Sequence, residues 1–550
     1  DRKALPDPEF RDESNYVAPT TEMEKELCSI WQSVLGLEKV GITDDFFRIG
    51  GDSILSILLS SKLRKAGHQS SVKDIFENRT ISALVKLLEA SKTKAKLLTE
   101  QGVLEGEFNL LPIQEWFFTK ESKGELGNKD HWNQSFMIRV PELEVEKLEE
   151  IIEKLTKQHD ILRAFYKRDK KGRYTQSYQK EIKIPKLKVL DLTTIKEKDE
   201  AKKAKKIHET LTDWQSGFNI SKGPLWQMGY VHGYKDKTAR IYFALHHLIV
   251  DAVSWRILLE DIRTLYEGLD LESKQTSYRQ WVEVLKTYTE KNKAELNYWQ
   301  EIQSDQEDHE RLAKELIKNE VQFTEIELEK GLTKELISKA NQAYHTEIND
   351  LLLTGLGYAL KDWSGKETNH ITLEGHGREA IREDVDLSKT VGWFTIKYPV
   401  KLRTHETLDQ SIKCIKEDLR KIPDKGLSYG LLSQEISEEK SSKDSQEAFK
   451  SLPLISFNYL GQFDAQQGLW QITGEDSGLS VIDNNQNNDI ISINGMIIQG
   501  KLKFNIAARL SRKDTQHIAK HLKLNIEKII NHCADRVDQK VIEHTSSDYF

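Results

Sequence analysis

Residues 246–255 read HHLIVDAVSW and directly follow a continuous apolar run, Ile241–Leu245, which predicts a buried strand. Neighbouring residues of a strand point to opposite faces, so at most one of His246 and His247 can face a cleft. An imidazole at a strand end could act as a general base, whereas the alternative is a pair of histidines satisfied within the core. No third ligand stands nearby at metal spacing, which argues against zinc.

The sequence on the amino-terminal side predicts a small helical unit. Apolar residues recur at helical spacing in four short segments before residue 90. Thr21 and Glu24 have the capping-box spacing before the first segment, and Gly36 ends it. The pattern predicts a bundle of about four helices.

The longer remainder of the chain has a different pattern of apolar residues. Amphipathic segments, such as Leu143–Ile161 and Thr515–His532, alternate with strand-like runs, which predicts an α/β architecture. The highly charged stretch Glu301–Glu320 is predicted to connect two lobes.

Composition excludes several classes of protein. The 550 residues carry a net charge of −7, which argues against a general nucleic-acid binder. The three cysteines are far apart, so neither a disulfide framework nor a CxxC metal site is available, and a reducing cytoplasm is the expected compartment. No apolar run has the length of a membrane span, so no membrane partner is expected.

Residues 50–54 read GGDSI at the start of the second predicted helix. Taken alone, Ser53 could simply be a helix N-cap. The preceding glycines predict an exposed serine at a loop–helix junction, where the positive helix end favours a phosphodiester. The segment 45–53, DFFRIGGDS, resembles the peptidyl carrier proteins of nonribosomal peptide synthetases. The resemblance implies a phosphopantetheine arm on Ser53, attached by a phosphopantetheinyl transferase. With Asp directly before the serine, the segment is similar to that of carriers that precede epimerization domains.

The larger part of the chain resembles the epimerization domains of the same synthetases. Segment 246–252 matches their His-His-xxx-Asp-Gly signature, with Ala252 in place of the usual glycine. Four further matches occur in the family's order: LPIQEWF at 111–117, EGHGRE at 374–379, VGWFT at 391–395 and FNYLGQF at 457–463. The resemblance implies two chloramphenicol-acetyltransferase-like lobes with a tunnel between them.

The resemblance also implies a domain order. The expected segments are the end of an upstream adenylation domain with a linker at 1–15, the carrier at 16–92, a linker at 93–107, a first lobe at 108–290, and a second lobe with a docking tail at 291–550. Since the chain begins with Asp1 rather than Met, we expect a piece of a longer polypeptide.

The implied function is epimerization of a carrier-bound L-aminoacyl thioester to its D form. Resemblance to initiation modules of the gramicidin S and tyrocidine type suggests L-phenylalanine as the substrate. The enzyme would be an isomerase that needs no cofactor beyond the carrier arm. Two alternatives stay open: a condensation domain that forms a peptide bond, and an inert docking scaffold with a carrier.

The site residues follow from the same resemblance and from the demands of inversion. A proton must leave one face of Cα and another must arrive on the opposite face, so two positioned groups are expected. The expected roles are bases for His247 and Glu374, and orientation of the thioester or stabilisation of an enolate for Asn458 and Tyr459. Structural support is expected from His246, Asp251 and Arg378. The resemblance implies that Asp251 ties down its loop through an arginine, and Arg378 is the expected partner. No metal is expected. Glu374 could hold a proton if it were buried in an apolar tunnel, whereas core packing explains Tyr459 nearly as well.

The residues after Lys513 are expected to form a final helix and a polar tail. The resemblance implies that this tail docks the condensation domain of the next synthetase. The alternative is a frayed terminus, which is common.

Overall fold

The computed structural model describes residues 16–68, 70–90, 97–197, 199–306, 319–438, 451–463, 469–481, 485 and 489–549. The predicted adenylation remnant and the middle of the predicted lobe connection lie outside these residues. Within the described chain, no helix combines the length and apolarity needed to cross a membrane.

The amino-terminal unit is a bundle of four helices, as predicted: α1 (Glu22–Leu35), α2 (Ser53–Lys65), α3 (Val72–Glu77) and α4 (Ile81–Ala90). Thr21 and Glu24 form the expected capping box, and Gly36 ends α1 with a left-handed φ of 66°. Trp31, Phe46 and Leu59 are fully buried where the apolar faces meet.

The first lobe of the larger domain is built on two sheets. Its strands are β1 (Gly106–Phe108), β2 (Asn133–Pro141), β3 (Ala164–Arg168), β4 (Tyr174–Tyr178), β5 (Lys188–Asp191), β6 (Trp226–His232), β7 (Thr238–His246) and β12 (Gln471–Thr473). The five-stranded sheet has the order β12-β2-β7-β6-β5, and the three-stranded sheet has the order β1-β4-β3. The helices are α5 (Pro112–Ser122), α6 (Val145–Gln158), α7 (Glu200–Gln215), α8 (Ala252–Tyr266) and α9 (Tyr278–Lys291). Every residue of β7 is buried, as its apolar sequence predicts.

The second lobe is built on a single six-stranded sheet. Its strands are β8 (Gln322–Glu327), β9 (Thr368–Gly375), β10 (Ile396–Arg403), β11 (Ile455–Gln462), β13 (Ile491–Ile498) and β14 (Lys501–Ala508). They lie in the order β10-β9-β11-β13-β14-β8. The helices are α10 (Leu296–Gln303), α11 (Lys330–Ser338), α12 (Ile348–Ser364), α13 (Leu408–Arg420), α14 (Leu427–Glu438) and α15 (Arg512–Asp538). Helix α15 is longer at both ends than the sequence predicts.

The two lobes share segments of chain. Strand β12 pairs antiparallel with β2, so the second half of the sequence completes the sheet of the first lobe. Trp393 and Phe394 likewise belong to the first lobe's core. The two-lobed α/β class is confirmed, but residue 290 does not divide the two cores cleanly.

The carrier bundle packs against both lobes. Ile57 of α2 is 3% exposed and joins the first lobe's core. Arg64 forms an ion pair with Asp386, and it also donates a hydrogen bond to the hydroxyl of Ser388 at 3.1 Å. From the second lobe, the amide of Gln462 donates to the carbonyl oxygen of Gly50 at 2.9 Å. The loop that precedes Ser53 is therefore held directly against β11.

Candidate active site

Ser53 is the first residue of α2 and is half-buried rather than exposed. The alternative that Ser53 is simply an N-cap is wrong, because Asp52 occupies that position. Oδ1 of Asp52 accepts hydrogen bonds from the backbone N–H groups of Ile54 and Leu55 at 2.9 and 2.7 Å. Among the described residues, the Ser53 hydroxyl has no hydrogen-bond partner, so it fits a role as an attachment point.

The carrier serine lies beside a loop of the second lobe centred on Gly461. A Cβ added at Gly461 would lie 3.0 Å from Oδ2 of Asp52 and 3.5 Å from Nη2 of Arg256, and φ is +78°. Arg256 holds this loop by donating to the carbonyl oxygens of Leu460 and Gln462 at 3.0 and 3.1 Å. Burial raises the pKa of Asp52, and the charge of Arg256 opposes that shift. Only glycine permits this close approach of carrier and lobe.

His246 is fully buried at the end of β7. Its Nε2 donates to the carbonyl oxygen of Lys129 at 2.7 Å, and its Nδ1 accepts from the N–H of Leu248 at 3.2 Å. Burial lowers the pKa of His246 to about 3, so the ring is neutral. Both ring nitrogens are occupied, which leaves none for proton transfer.

His247 begins the short turn after β7 and keeps one nitrogen directed at other side chains. Its Nδ1 lies 3.2 Å from the carbonyl oxygen of Val250, which can only accept, so Nδ1 carries the hydrogen. Nε2 is then the lone-pair nitrogen, and it lies 2.9 Å from the amide nitrogen of Gln134. Burial lowers the pKa of His247, and the carboxylates of Glu374 and Asp251 oppose that shift. The Nε2 lone pair accepts from the side chain of Gln134, whereas both partners of His246 are backbone groups. Because a side chain can rotate away, the neutral imidazole of His247 can accept a proton at Nε2 when that hydrogen bond opens.

Asp251 caps α8 and forms the expected contact with Arg378. Oδ1 accepts from the N–H and the hydroxyl of Ser254, both at 2.8 Å. Oδ2 accepts from Nη1 of Arg378 at 2.5 Å and from the N–H of Phe394 at 3.1 Å. Both charged side chains are almost fully buried. Ala252 is the first residue of α8, so the missing glycine leaves the helix start intact.

Glu374 lies near the end of β9 between two groups that bind its carboxylate. Nδ2 of Asn458 donates to Oε2 at 2.9 Å, and Nζ of Lys397 lies 3.1 Å from Oε1. Lys397 faces Glu374 directly across the antiparallel pair of β9 and β10. The surroundings of this carboxylate are therefore polar and cationic, and the expectation of an apolar environment is wrong.

Tyr459 does not join this group. It follows Asn458 on β11, so the two side chains point to opposite faces of the strand. Tyr459 packs against the core of the second lobe, and its hydroxyl is buried with no hydrogen-bond partner within the described chain. Burial raises the pKa of Tyr459 well above its ordinary value, and Asp52 adds to that shift.

Three tryptophans that contact one another lie beside His247 and Lys397. The ring of Trp393 lies 4.4 Å from the ring of His247. Trp116 contacts Trp393 and Trp132 edge-on, with centroids 6.5 and 6.0 Å apart. The site thus combines aromatic side chains with the two candidate bases.

Lys397 and Gln134 were not predicted from the sequence. Lys397 follows the VGWFT segment by two residues, but only strand register shows that it faces Glu374. Gln134 carries no motif, and only the pairing of β2 with β7 brings it to His247. Among the described residues, the potential metal ligands that cluster are His345, His544 and Asp548, a group that includes neither candidate base.

Replacing Asp251 with alanine is expected to destabilise the protein and to remove activity together. Arg378 would remain buried without its partner, which costs about 3–5 kcal/mol. Urea denaturation of Asp251→Ala, Arg378→Ala and the double variant measures the effect. The double variant should lose less free energy of unfolding than the two single variants lose in sum. An inactive Asp251→Ala protein that unfolds at the same urea concentration as the parent would contradict the structural role.

Comparison with known families gives two matches along the chain. Residues 25–88 match the phosphopantetheine attachment site, and residues 104–548 match the condensation domain. Similar curated proteins include a mycosubtilin synthase polypeptide of Bacillus subtilis, 38% identical, and gramicidin S synthase 1 of Brevibacillus brevis, 34% identical. Each alignment covers the whole chain, which spans only 21% and 51% of these relatives.

Solved structures give a consistent result for the larger domain. The epimerization domain from the third module of tyrocidine synthetase B matches with a TM-score of 0.69 and 31% identity, over 81% of this chain and all of that one. The condensation domain of the Monacolin K polyketide synthase MokA matches with a TM-score of 0.61 and 13% identity, over 79% of this chain and 99% of that one. The second match shows the shared fold alone.

Proposed function

Since the chain belongs to the condensation-domain family of nonribosomal peptide synthetases and carries a phosphopantetheine attachment site, we propose that it inverts Cα of an aminoacyl thioester held on Ser53. The observation that carries this proposal is the placement of a carboxylate in the same site as His247. Glu374 pairs with Lys397, which lies over the ring of Trp116. Trp116 contacts Trp393, and Trp393 packs on the ring of His247. Peptide-bond formation has no need for a second base, whereas inversion does.

Attachment as a thioester acidifies the Cα proton and lets an enolate carry the resulting charge. His247 and Glu374 come from different lobes, and in this mechanism one of them takes up a proton from solvent before the reaction, so that the pair holds one transferable proton. One group removes the Cα proton from its face, and the other group returns its own proton to the opposite face. The two groups exchange protonation states in each turnover, so the same pair works from either enantiomer.

The proposed substrate has an apolar aromatic side chain, with L-phenylalanine as the first candidate. Trp116, Trp132 and Trp393 support this choice, because aromatic rings pack favourably against one another. Loading L-phenylalanine and L-aspartate on separate samples compares the two side-chain classes. Faster inversion of the aspartyl form would contradict the assignment.

The experiment that tests the function uses the whole chain with an L-aminoacyl arm loaded on Ser53. The proposal expects a mixture of D and L forms after hydrolysis and chiral chromatography. A condensation domain would leave the L form unchanged until a second loaded carrier is added, and would then form a dipeptide. An inert scaffold would change nothing in either experiment.

The proposed partners are an upstream adenylation domain, a phosphopantetheinyl transferase and a downstream condensation domain reached through the carboxy-terminal tail. The frayed-terminus alternative for that tail is wrong for residues 540–549. Asp548 lies 2.7 Å from the buried Nζ of Lys416, and Ser547 donates to Glu417 at 2.6 Å. The tail thus packs on α13, and a partner would have to compete for it.

Deleting residues 540–550 is expected to spare epimerization and to weaken aminoacyl transfer to the downstream synthetase. The cut falls after α15, whose last turns pack on the core through Cys533 and Val537. Product analysis with the downstream protein measures transfer. Asp548→Asn is the matched variant: it loosens the tail from Lys416 without removing it, so transfer should be retained or increased. Unchanged transfer by the deletion variant would contradict the docking role.

A further inference from the structure

Lys397 is a buried cation inside the candidate active site. Its side chain is only 15% exposed, and it projects from β10 on the same face as Glu374. Its Nζ lies 4.1 Å from the centroid of the Trp116 ring, which adds a cation–π contact. The ammonium group is therefore held between an aromatic ring and the candidate base.

The charge of Lys397 is sustained by its neighbours. Burial by itself would lower the pKa of Lys397, but the carboxylates of Glu374 and Asp489 reverse the effect and raise it. Lys397 in turn contributes to lowering the pKa of His247. The cation thus interacts with both candidate bases and contacts only one of them.

Each oxygen of Glu374 has one partner. Lys397 binds Oε1 and Asn458 donates to Oε2, so the carboxylate plane is fixed from two sides. The two partners differ in one respect. Both donate to the carboxylate, but only Lys397 carries a positive charge that opposes the negative charge of Glu374.

We infer that Lys397 is a positioning residue for epimerization, whose ammonium group keeps Glu374 ionised and oriented so that Glu374 can remove the proton from one face of Cα. This inference rests on the proposed function. A buried carboxylate without a cation favours its neutral form. Glu374 could then still donate a proton to one face but would no longer accept one there, and His247 would be the only base.

The test compares Lys397→Met, Lys397→Arg and Glu374→Gln, each loaded with one enantiomer in deuterated water. Mass spectrometry of the released amino acid gives the rate of deuterium uptake at Cα. We expect Lys397→Met to lose uptake about 10²–10⁴-fold from the same single enantiomer as Glu374→Gln, and to keep uptake from the other enantiomer within a few-fold. Lys397→Arg should retain deuterium uptake from both enantiomers, because a guanidinium also pairs with a carboxylate and stacks on an aromatic ring.

Three outcomes would overturn the inference. The first is a parental rate of deuterium uptake in Lys397→Met. The second is an equal fall in uptake from both enantiomers, which would indicate stabilisation of the enolate or a folding defect. The third is a failure of Lys397→Arg to retain the parental uptake. Isotope-edited infrared spectroscopy of the Glu374 carboxyl provides a readout independent of turnover. A protonated band should appear at neutral pH in Lys397→Met alone. A parent that makes no D form would overturn the proposed function, while the infrared comparison would still decide the role of Lys397.

Discussion

His247→Ala and Glu374→Gln are each expected to abolish inversion of a loaded aminoacyl carrier. General acid–base catalysis contributes about 10²–10⁴ in rate, and inversion needs both groups, so either loss should lower D-form production by at least that factor. Deuterium uptake separates the two roles: the parent should exchange Cα hydrogen from both enantiomers. Each variant should exchange from at most one enantiomer, with its configuration retained.

Glu379→Gln is the matched control for Glu374→Gln. Glu379 lies five residues further along the chain, and burial raises its pKa to about 7. Oε1 of Glu379 lies 3.5 Å from Nε2 of His376, and Glu379 makes no contact with Lys397 or Asn458 among the described side chains. It should therefore keep inversion at the parental rate. If Glu374→Gln also inverts at that rate, the two-base mechanism fails and peptide-bond formation becomes the better explanation.

Ser53→Ala is expected to remove all activity by preventing attachment of the arm. Intact mass after treatment with a phosphopantetheinyl transferase should show no mass gain. The bundle should stay folded, because Asp52 and not Ser53 supplies the N-cap hydrogen bonds of α2. The thermal midpoint should therefore match that of the parent.

Ser82→Ala is the control for this variant. Ser82 is also a half-buried serine near the start of a carrier helix, so its replacement should leave loading unchanged. Mass gain in Ser53→Ala would show that another hydroxyl carries the arm. Loss of loading in Ser82→Ala would indicate that the transferase recognises the bundle surface and not a single serine.

Local patterns predicted the carrier well, because its helices are specified by residues close in sequence. The capping box at Thr21 and the glycine at 36 act within one helical turn, and both are present. The same holds for strand β7, whose apolar run needs no partner to be recognised. The resemblance to a known family also predicted one contact between residues distant in sequence, that between Asp251 and Arg378.

Features that depend on register and docking could not be predicted in the same way. Lys397 faces Glu374 because β10 pairs with β9 in one register, and a shift of one residue would place it on the other face. The ion pair between Arg64 and Asp386 joins residues more than three hundred positions apart. The polar surroundings of Glu374 have the same origin, since neither of its partners is a sequence neighbour.

Strand β12 has a consequence for how the protein is synthesised. The edge of β2 that it covers is complete as soon as residue 141 has left the ribosome, whereas residues 471–473 follow much later. At roughly 5–20 residues per second the interval is tens of seconds. During that time the nascent first lobe exposes an unpaired strand edge, which is a template for pairing with another chain. We therefore expect chaperone dependence and aggregation during translation to be greatest before β12 emerges, and to fall once that strand has paired with the edge of β2.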